Sequence, residues 1–86
     1  MPYISQQSRN QFFDLQSVLE DVVFSNAGEL NYVLTLVITQ YLATAGSRYQ
    51  SMNDIVGALE GCKLEFYRRV VSGYEDSKIL ENGDVY

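Results

Sequence analysis

The sequence predicts an all-α fold, a small three-helix domain, from three observations. Apolar residues recur at the spacing of one helix face, the single proline is Pro2, and polar or glycine-containing clusters divide the chain into three segments. After the third helix we expect a short C-terminal helix or turn and an extended tail, all within a single domain. The 86 residues supply only one modest core, so we also expect self-association.

The first helix is predicted over residues 6–24, with Ser5 or Ser8 as its N-cap. The cluster 25–28 has loop-forming composition and is expected to end this helix. Its apolar face is formed by residues at helical spacing: Phe12, Leu15, Leu19 and Val22.

The second helix is predicted over residues 29–45, with Asn26 as its cap and Gly46 just beyond its end. Glu29 suits the positive end of the helix dipole. Residues 30–42 are apolar almost all round the helix, which is typical of a central helix. We expect this helix to pack on the other helices on one side and on another subunit on the other.

The third helix is predicted over residues 52–72, with Ser51 as its cap and Gly73 as the residue that terminates it. A short helix over residues 75–81, closed by Asn82 and Gly83, and a tail over residues 82–86 should follow. The core stripe of the third helix is predicted to contain Ile55, Leu59, Cys62, Phe66 and Val70.

Composition argues against several kinds of activity. The net charge of −5 opposes binding to DNA, RNA or an anionic membrane. The chain has no histidine and one cysteine, which argues against Ser–His or Cys–His catalysis and against a zinc site. We therefore expect no enzyme activity, no cofactor and no metal. The lone Cys62 fits a reducing, cytoplasmic location, and no apolar run is long enough to span a bilayer.

Gly57 and Gly61 lie four residues apart inside the third helix. Each glycine within a helix costs about 1 kcal/mol relative to alanine, so a pair suggests a specific use. We interpret them as a smooth strip for close helix–helix contact, within or between subunits. Close approach of a ligand to the backbone is the alternative.

Basic residues cluster around the third helix although the chain is acidic. One interpretation is that they are solvated or paired helix charges, with Arg69 four residues after Glu65. The other is an anion site assembled from two subunits, with arginine forks on phosphate and tyrosine rings stacked on bases. The candidate ligand-binding residues are Arg48, Tyr49, Lys63, Arg68, Arg69 and Tyr74.

Several blocks of the chain resemble a known family. They are the start MPYI, the block GELNY at 28–32, NDIVGALEGCKLEFYRRVV at 53–71, and YEDSKILENGDVY at 74–86. Together they resemble short uncharacterised proteins of tailed phages and prophages that end in a similar tail. The resemblance implies a phage or prophage origin and a role inside the infected cell. It implies no catalytic or binding residue.

The sequence thus favours a non-enzymatic accessory protein that acts by binding in the host cytoplasm. Its most concrete form is a counter-defence protein that forms a homo-oligomer and sequesters a cyclic or other signalling nucleotide at subunit interfaces. One alternative is an acidic interaction module that inhibits a host protein. Another is a component of the virion or of its assembly.

Overall fold

A computed structural model of the chain describes residues 2–86, and all regular structure within that range is helical. The predicted all-α fold is confirmed. The helices are α1 (Gln6–Arg9), α2 (Phe13–Glu20), α3 (Ala27–Ala45), α4 (Tyr49–Phe66) and α5 (Ser72–Asn82). A 3₁₀ turn over Asn10–Phe12 joins α1 to α2, and a π-helical turn over Tyr67–Val71 joins α4 to α5.

The chain divides into two compact units. One comprises Tyr3–Ile55, with α1 to α3 and the first turns of α4. The other includes Val56–Tyr86, with the rest of α4, the π-helical turn and α5. The residues proposed for binding are distributed over both units.

The first helical segment begins as predicted but ends earlier. Ser5 Oγ accepts a hydrogen bond from the Ser8 backbone N–H, so Ser5 is the N-cap. The segment ends at Glu20 rather than at residue 24. The N–H groups of Asp21 and Val22 bond three residues back, which tightens the last turn.

Helix α3 has the two caps that its sequence predicts. Asn26 Oδ1 accepts the Glu29 N–H at 2.9 Å, and Glu29 Oε1 accepts the Ser25 N–H at 3.0 Å. This arrangement resembles a capping box, except that Glu29 accepts the N–H of the residue before the cap. Gly46 follows the last residue with φ 91°, a backbone conformation that residues with a Cβ rarely adopt.

Helix α4 begins before the predicted cap, Ser51. The Met52 N–H already donates to the Arg48 carbonyl, and the helix starts at Tyr49. The Gln50 amide donates to Asp54 four residues later, which supports this additional turn. Ser51 therefore lies inside the helix, where it is 1% exposed and its hydroxyl has no partner among the described residues.

Gly73 does not terminate the third helical segment. It lies within α5, and the segment continues to Asn82, where Gly83 has φ 89°. The Ser72 and Ser77 hydroxyls donate to carbonyls of the preceding turn, so this part of the helix has its polar groups satisfied. The glycine that ends the segment is Gly83, as the sequence predicted for its last short helix.

No hydrophobic side chain in residues 2–86 is buried. The predicted core stripes are present at their helical spacing, but residues 2–86 cover them only in part, and Ile55 is half-buried. Leu15 on α2 is 52% exposed, and Phe66 on α4 is 57% exposed. Cys62, predicted to be a buried core residue, is exposed as well. The apolar residues recur at helical spacing, as predicted, but residues 2–86 alone do not bury them in a core.

Candidate ligand-binding surface on the C-terminal helices

The π-helical turn over Tyr67–Val71 carries two of the predicted binding residues, Arg68 and Arg69. The Ser72 N–H donates to the Tyr67 carbonyl five residues earlier, which defines the wider turn. Single π turns inside α-helices occur often at functional sites. No sequence signal predicted this turn.

Arg68, rather than the predicted Arg69, pairs with Glu65. Its Nε lies 3.0 Å from Glu65 Oε1, and Nη2 also contacts the carboxylate, so the pair is bidentate. The Glu65 side chain is 16% exposed, whereas that of Arg68 is 64% exposed. Residues three and four apart are both neighbours on a helix, so spacing alone could not choose between the two arginines.

The side chain of Arg69 is exposed, and it makes no hydrogen bond or ion pair with residues 2–86. Every other basic side chain has such a contact, or several. Those contacts are made by Arg9, Arg48, Lys63, Arg68 and Lys78. A guanidinium retains its charge at any physiological pH, so Arg69 is a cation ready for an anionic partner.

Lys63 and Tyr74 lie on either side of the π-helical turn in the sequence. Lys63 Nζ is 3.4 Å from Glu60 Oε1, in a pair whose two side chains are both more than half exposed. Such a pair is weak and leaves Lys63 able to exchange partners. Lys78 Nζ lies 5.4 Å from the centre of the Tyr74 ring, a cation–π distance. Sequence reasoning missed Lys78, although its spacing of four residues from Tyr74 is the signal for this contact.

Arg48 and Tyr49 belong to the unit Tyr3–Ile55. Arg48 Nη2 donates to the Ala45 carbonyl at 3.3 Å, where its charge also suits the negative end of α3. This helix-capping contact gives Arg48 a structural role that the sequence analysis did not predict. The Tyr49 side chain is 83% exposed. Both residues stay candidates for ligand binding.

A second polar cluster in the same unit joins α3 to α4. The Tyr41 hydroxyl donates to Asp54 Oδ2 at 3.4 Å, and the Gln50 amide donates to Asp54 Oδ1 at 2.8 Å. The Gln50–Asp54 contact follows from a helical spacing of four residues. The Tyr41–Asp54 contact crosses between helices, and no local pattern could have predicted it.

The two glycines of α4 differ in their surroundings. A Cβ built on Gly57 meets no other atom within 4 Å, whereas Gly61 is half-buried. Apart from the neighbouring backbone of its own helix, no described residue therefore approaches Gly57 closely. Its predicted use in close helix contact stays a prediction, and it now applies to contact with a second chain.

The model of a protein family, Domain of unknown function (DUF6899), matches residues 1–85. The chain belongs to this family. No curated protein and no solved structure matches it.

The described part of this DUF6899 chain contains no group of three acidic, cysteine or histidine side chains that is placed to hold a metal ion. Over the same residues, no helix is both long enough and apolar enough to cross a membrane. The C-terminal unit carries the basic side chains Arg69, Lys63 and Arg68, the last of which is paired with Glu65. The exposed Tyr74 ring lies on the same run of helix.

Proposed function

We propose that this protein acts by binding, without catalysis, and that it sequesters a phosphate-bearing nucleotide at sites shared between copies of the chain. The observation that carries this proposal is Arg69. An acidic chain engages its other basic side chains in contacts of their own, yet on a π-helical turn this guanidinium has no partner among residues 2–86.

The surrounding residues supply the rest of the chemistry. Arg69 offers a planar fork of donors that matches two oxygens of a phosphate. Lys63 adds a second positive charge held only by an exposed pair with Glu60. The Tyr74 ring is 59% exposed and offers a face on which a base can stack. Arg68 is held by Glu65, which fixes the direction of its guanidinium.

Sites shared between copies suit a chain this short. A symmetric oligomer repeats each contact, so one gene of this size creates several equivalent pockets. The resemblance to phage and prophage proteins supports a role in the infected host cell. There the protein would remove a signalling nucleotide, such as a cyclic one, that the host uses in defence.

Native mass spectrometry of the protein purified gently from bacterial cells tests this function. We expect a closed oligomer with excess mass equal to whole numbers of one nucleotide. Arg69→Ala should remove the excess mass while the far-ultraviolet circular dichroism is unchanged. Arg68→Ala should do the same if the Arg68 guanidinium also contacts the phosphate.

Arg9→Ala is the matched control. Arg9 is bonded to the Ile4 carbonyl in the other unit and should have no influence on the bound nucleotide. The proposal is wrong if the wild-type protein carries no nucleotide and takes up none from a panel of linear and cyclic nucleotides. It is also wrong if Arg69→Ala retains wild-type affinity.

The acidic surface of the last helix favours a second candidate function, inhibition of a basic host protein. Glu75, Asp76, Glu81 and Asp84 are all exposed, and Lys78 is the one cation among them. This function predicts capture of a host protein that dissociates as salt is raised and that is lost in Asp76→Lys. A captured protein that also binds Asp76→Lys would argue against it.

A further inference from the structure

No residue of helix α3 is buried by the described part of its own chain. In a helix that packs against a core, one stripe is buried and the opposite stripe is polar. Along Ala27–Ala45 the one charged residue is Glu29, in the first turn, and no residue is buried. Large apolar residues along the helix stay open to solvent, and all but Leu36 share one face: Leu30, Leu34, Val37, Tyr41 and Leu36.

Four hydroxyl groups of α3 are already satisfied by the helix itself or by α4. The hydroxyls of Thr35, Thr39 and Thr44 donate to carbonyls three or four residues earlier. The Tyr41 hydroxyl donates to Asp54. These hydroxyls can leave water without losing a hydrogen bond, so they add little to the polar cost of covering this helix.

The exposed apolar residues of α3 form a continuous stripe. Leu30, Leu34, Val37 and Tyr41 recur at spacings of four, three and four residues, which places them on one face of the helix, and each is between 44% and 57% exposed. Monomeric proteins rarely leave a contiguous apolar patch of this kind open to solvent. The interfaces of obligate homo-oligomers are more apolar and resemble a domain core divided between chains.

We propose that α3 is the central contact helix of a homo-oligomer, and that the chain completes its core only by associating with further copies of itself. Charge supports a second copy as the occupant. The chain carries −5 overall, but the contact helix carries a single charge at its first turn, so two copies can meet there with little repulsion.

This inference deepens the proposed function, because shared nucleotide sites need neighbouring copies, but it requires no ligand. It is tested on the ligand-free wild-type protein by sedimentation and by thermal unfolding over about a hundredfold range of protein concentration. We expect a mass of at least two chains and an unfolding temperature that rises with concentration. Nucleotide binding is measured separately, so either proposal can fail while the other stands.

Two substitutions locate the contact on α3. Val37→Glu should yield dissociated chains that lose helical circular dichroism, whereas the same change at Val23, 86% exposed between α2 and α3, should leave the mass unchanged. Val37→Ala keeps the helix and removes two methyl groups, so it should raise the midpoint concentration of dissociation about tenfold.

A wild-type protein that sediments as one chain and unfolds at a concentration-independent temperature would overturn the inference. So would a wild-type mass for Val37→Glu. Loss of association in both Val37→Glu and Val23→Glu would show that α3 is not the specific contact and would also overturn it.

Discussion

Helix α3 and the helical run from Tyr49 to Asn82 differ in the number and the pairing of their charged side chains. The first has one charged side chain, Glu29, and its threonine hydroxyls bond to its own backbone. The second carries ten charged side chains, two pairs formed on its own surface before Gly73, and a π-helical turn that presents Arg69. From this difference we expect assembly and recognition to depend on separate helices, so that each can be changed without the other.

The largest effect should come from a charge placed on α3. Leu34→Asp puts a carboxylate on the surface that the proposed association removes from solvent. An unpaired buried charge costs several kcal/mol. We expect loss of association and of most of the free energy of unfolding, measured by urea denaturation. Leu34→Met keeps the volume and should cost less than about 1.5 kcal/mol. Equal effects of the two substitutions would contradict the assignment of α3 to assembly.

Two glycines provide the next contrast, one just after the end of α3 and the other in the first turn of α5. Gly46→Ala forces a Cβ into a backbone with φ 91° and ψ 152°, and should lower the free energy of unfolding by about 1–3 kcal/mol. Gly73→Ala acts in a helix with open space around the new methyl group and should raise it by about 1 kcal/mol. Thermal unfolding of both variants at one protein concentration measures the difference. Destabilisation by Gly73→Ala would show that a neighbouring copy lies against that glycine.

Ser51 offers a smaller test at the start of α4. Its hydroxyl is buried and has no partner among the described residues, so Ser51→Ala should raise the free energy of unfolding by about 1 kcal/mol. Ser72→Ala is the matched control, since that hydroxyl donates to the Arg68 carbonyl and is exposed. The control should change stability by less than about 0.5 kcal/mol. A destabilised Ser51→Ala would mean that the hydroxyl finds a partner in the assembled protein.

The smallest effect on stability is expected at the exposed pair Lys63–Glu60. Glu60→Gln should change the free energy of unfolding by less than about 0.5 kcal/mol, because both side chains are well solvated. If Lys63 contacts the phosphate of a nucleotide, the same change frees its ammonium group and should tighten binding. Calorimetric titration of the nucleotide found by mass spectrometry measures this. Weaker binding by Glu60→Gln would remove Lys63 from the proposed site.

The sequence predicted those parts of the fold that depend on local chemistry. Asn26 and Ser5 cap their helices, and Gly46 and Gly83 follow helix ends, because each position needs one particular kind of side chain or backbone freedom. The sequence did not predict helix boundaries at places where several neighbouring residues are equally suitable as the first residue. The start of α4 lies at Tyr49 rather than after Ser51, because Gln50 and Asp54 support an additional turn.

The candidate site was predicted less well, for a related reason. Helical spacing brings both Arg68 and Arg69 within reach of Glu65, and only the structure shows that Arg68 is the partner. The π-helical turn has no sequence signature. Periodicity also predicts which face of a helix requires burial, but not what covers it, so the stripe through Phe66 was assigned to a core that this chain alone does not form.

The exposed thiol of Cys62 allows the number of chains in an assembly to be counted. Because the chain contains one thiol, a maleimide dye attaches at most once to each polypeptide. The number of bleaching steps from a single fluorescent particle then equals the number of chains in it. A slower reaction at high protein concentration would further place the α4 surface around Cys62 at a boundary between neighbours.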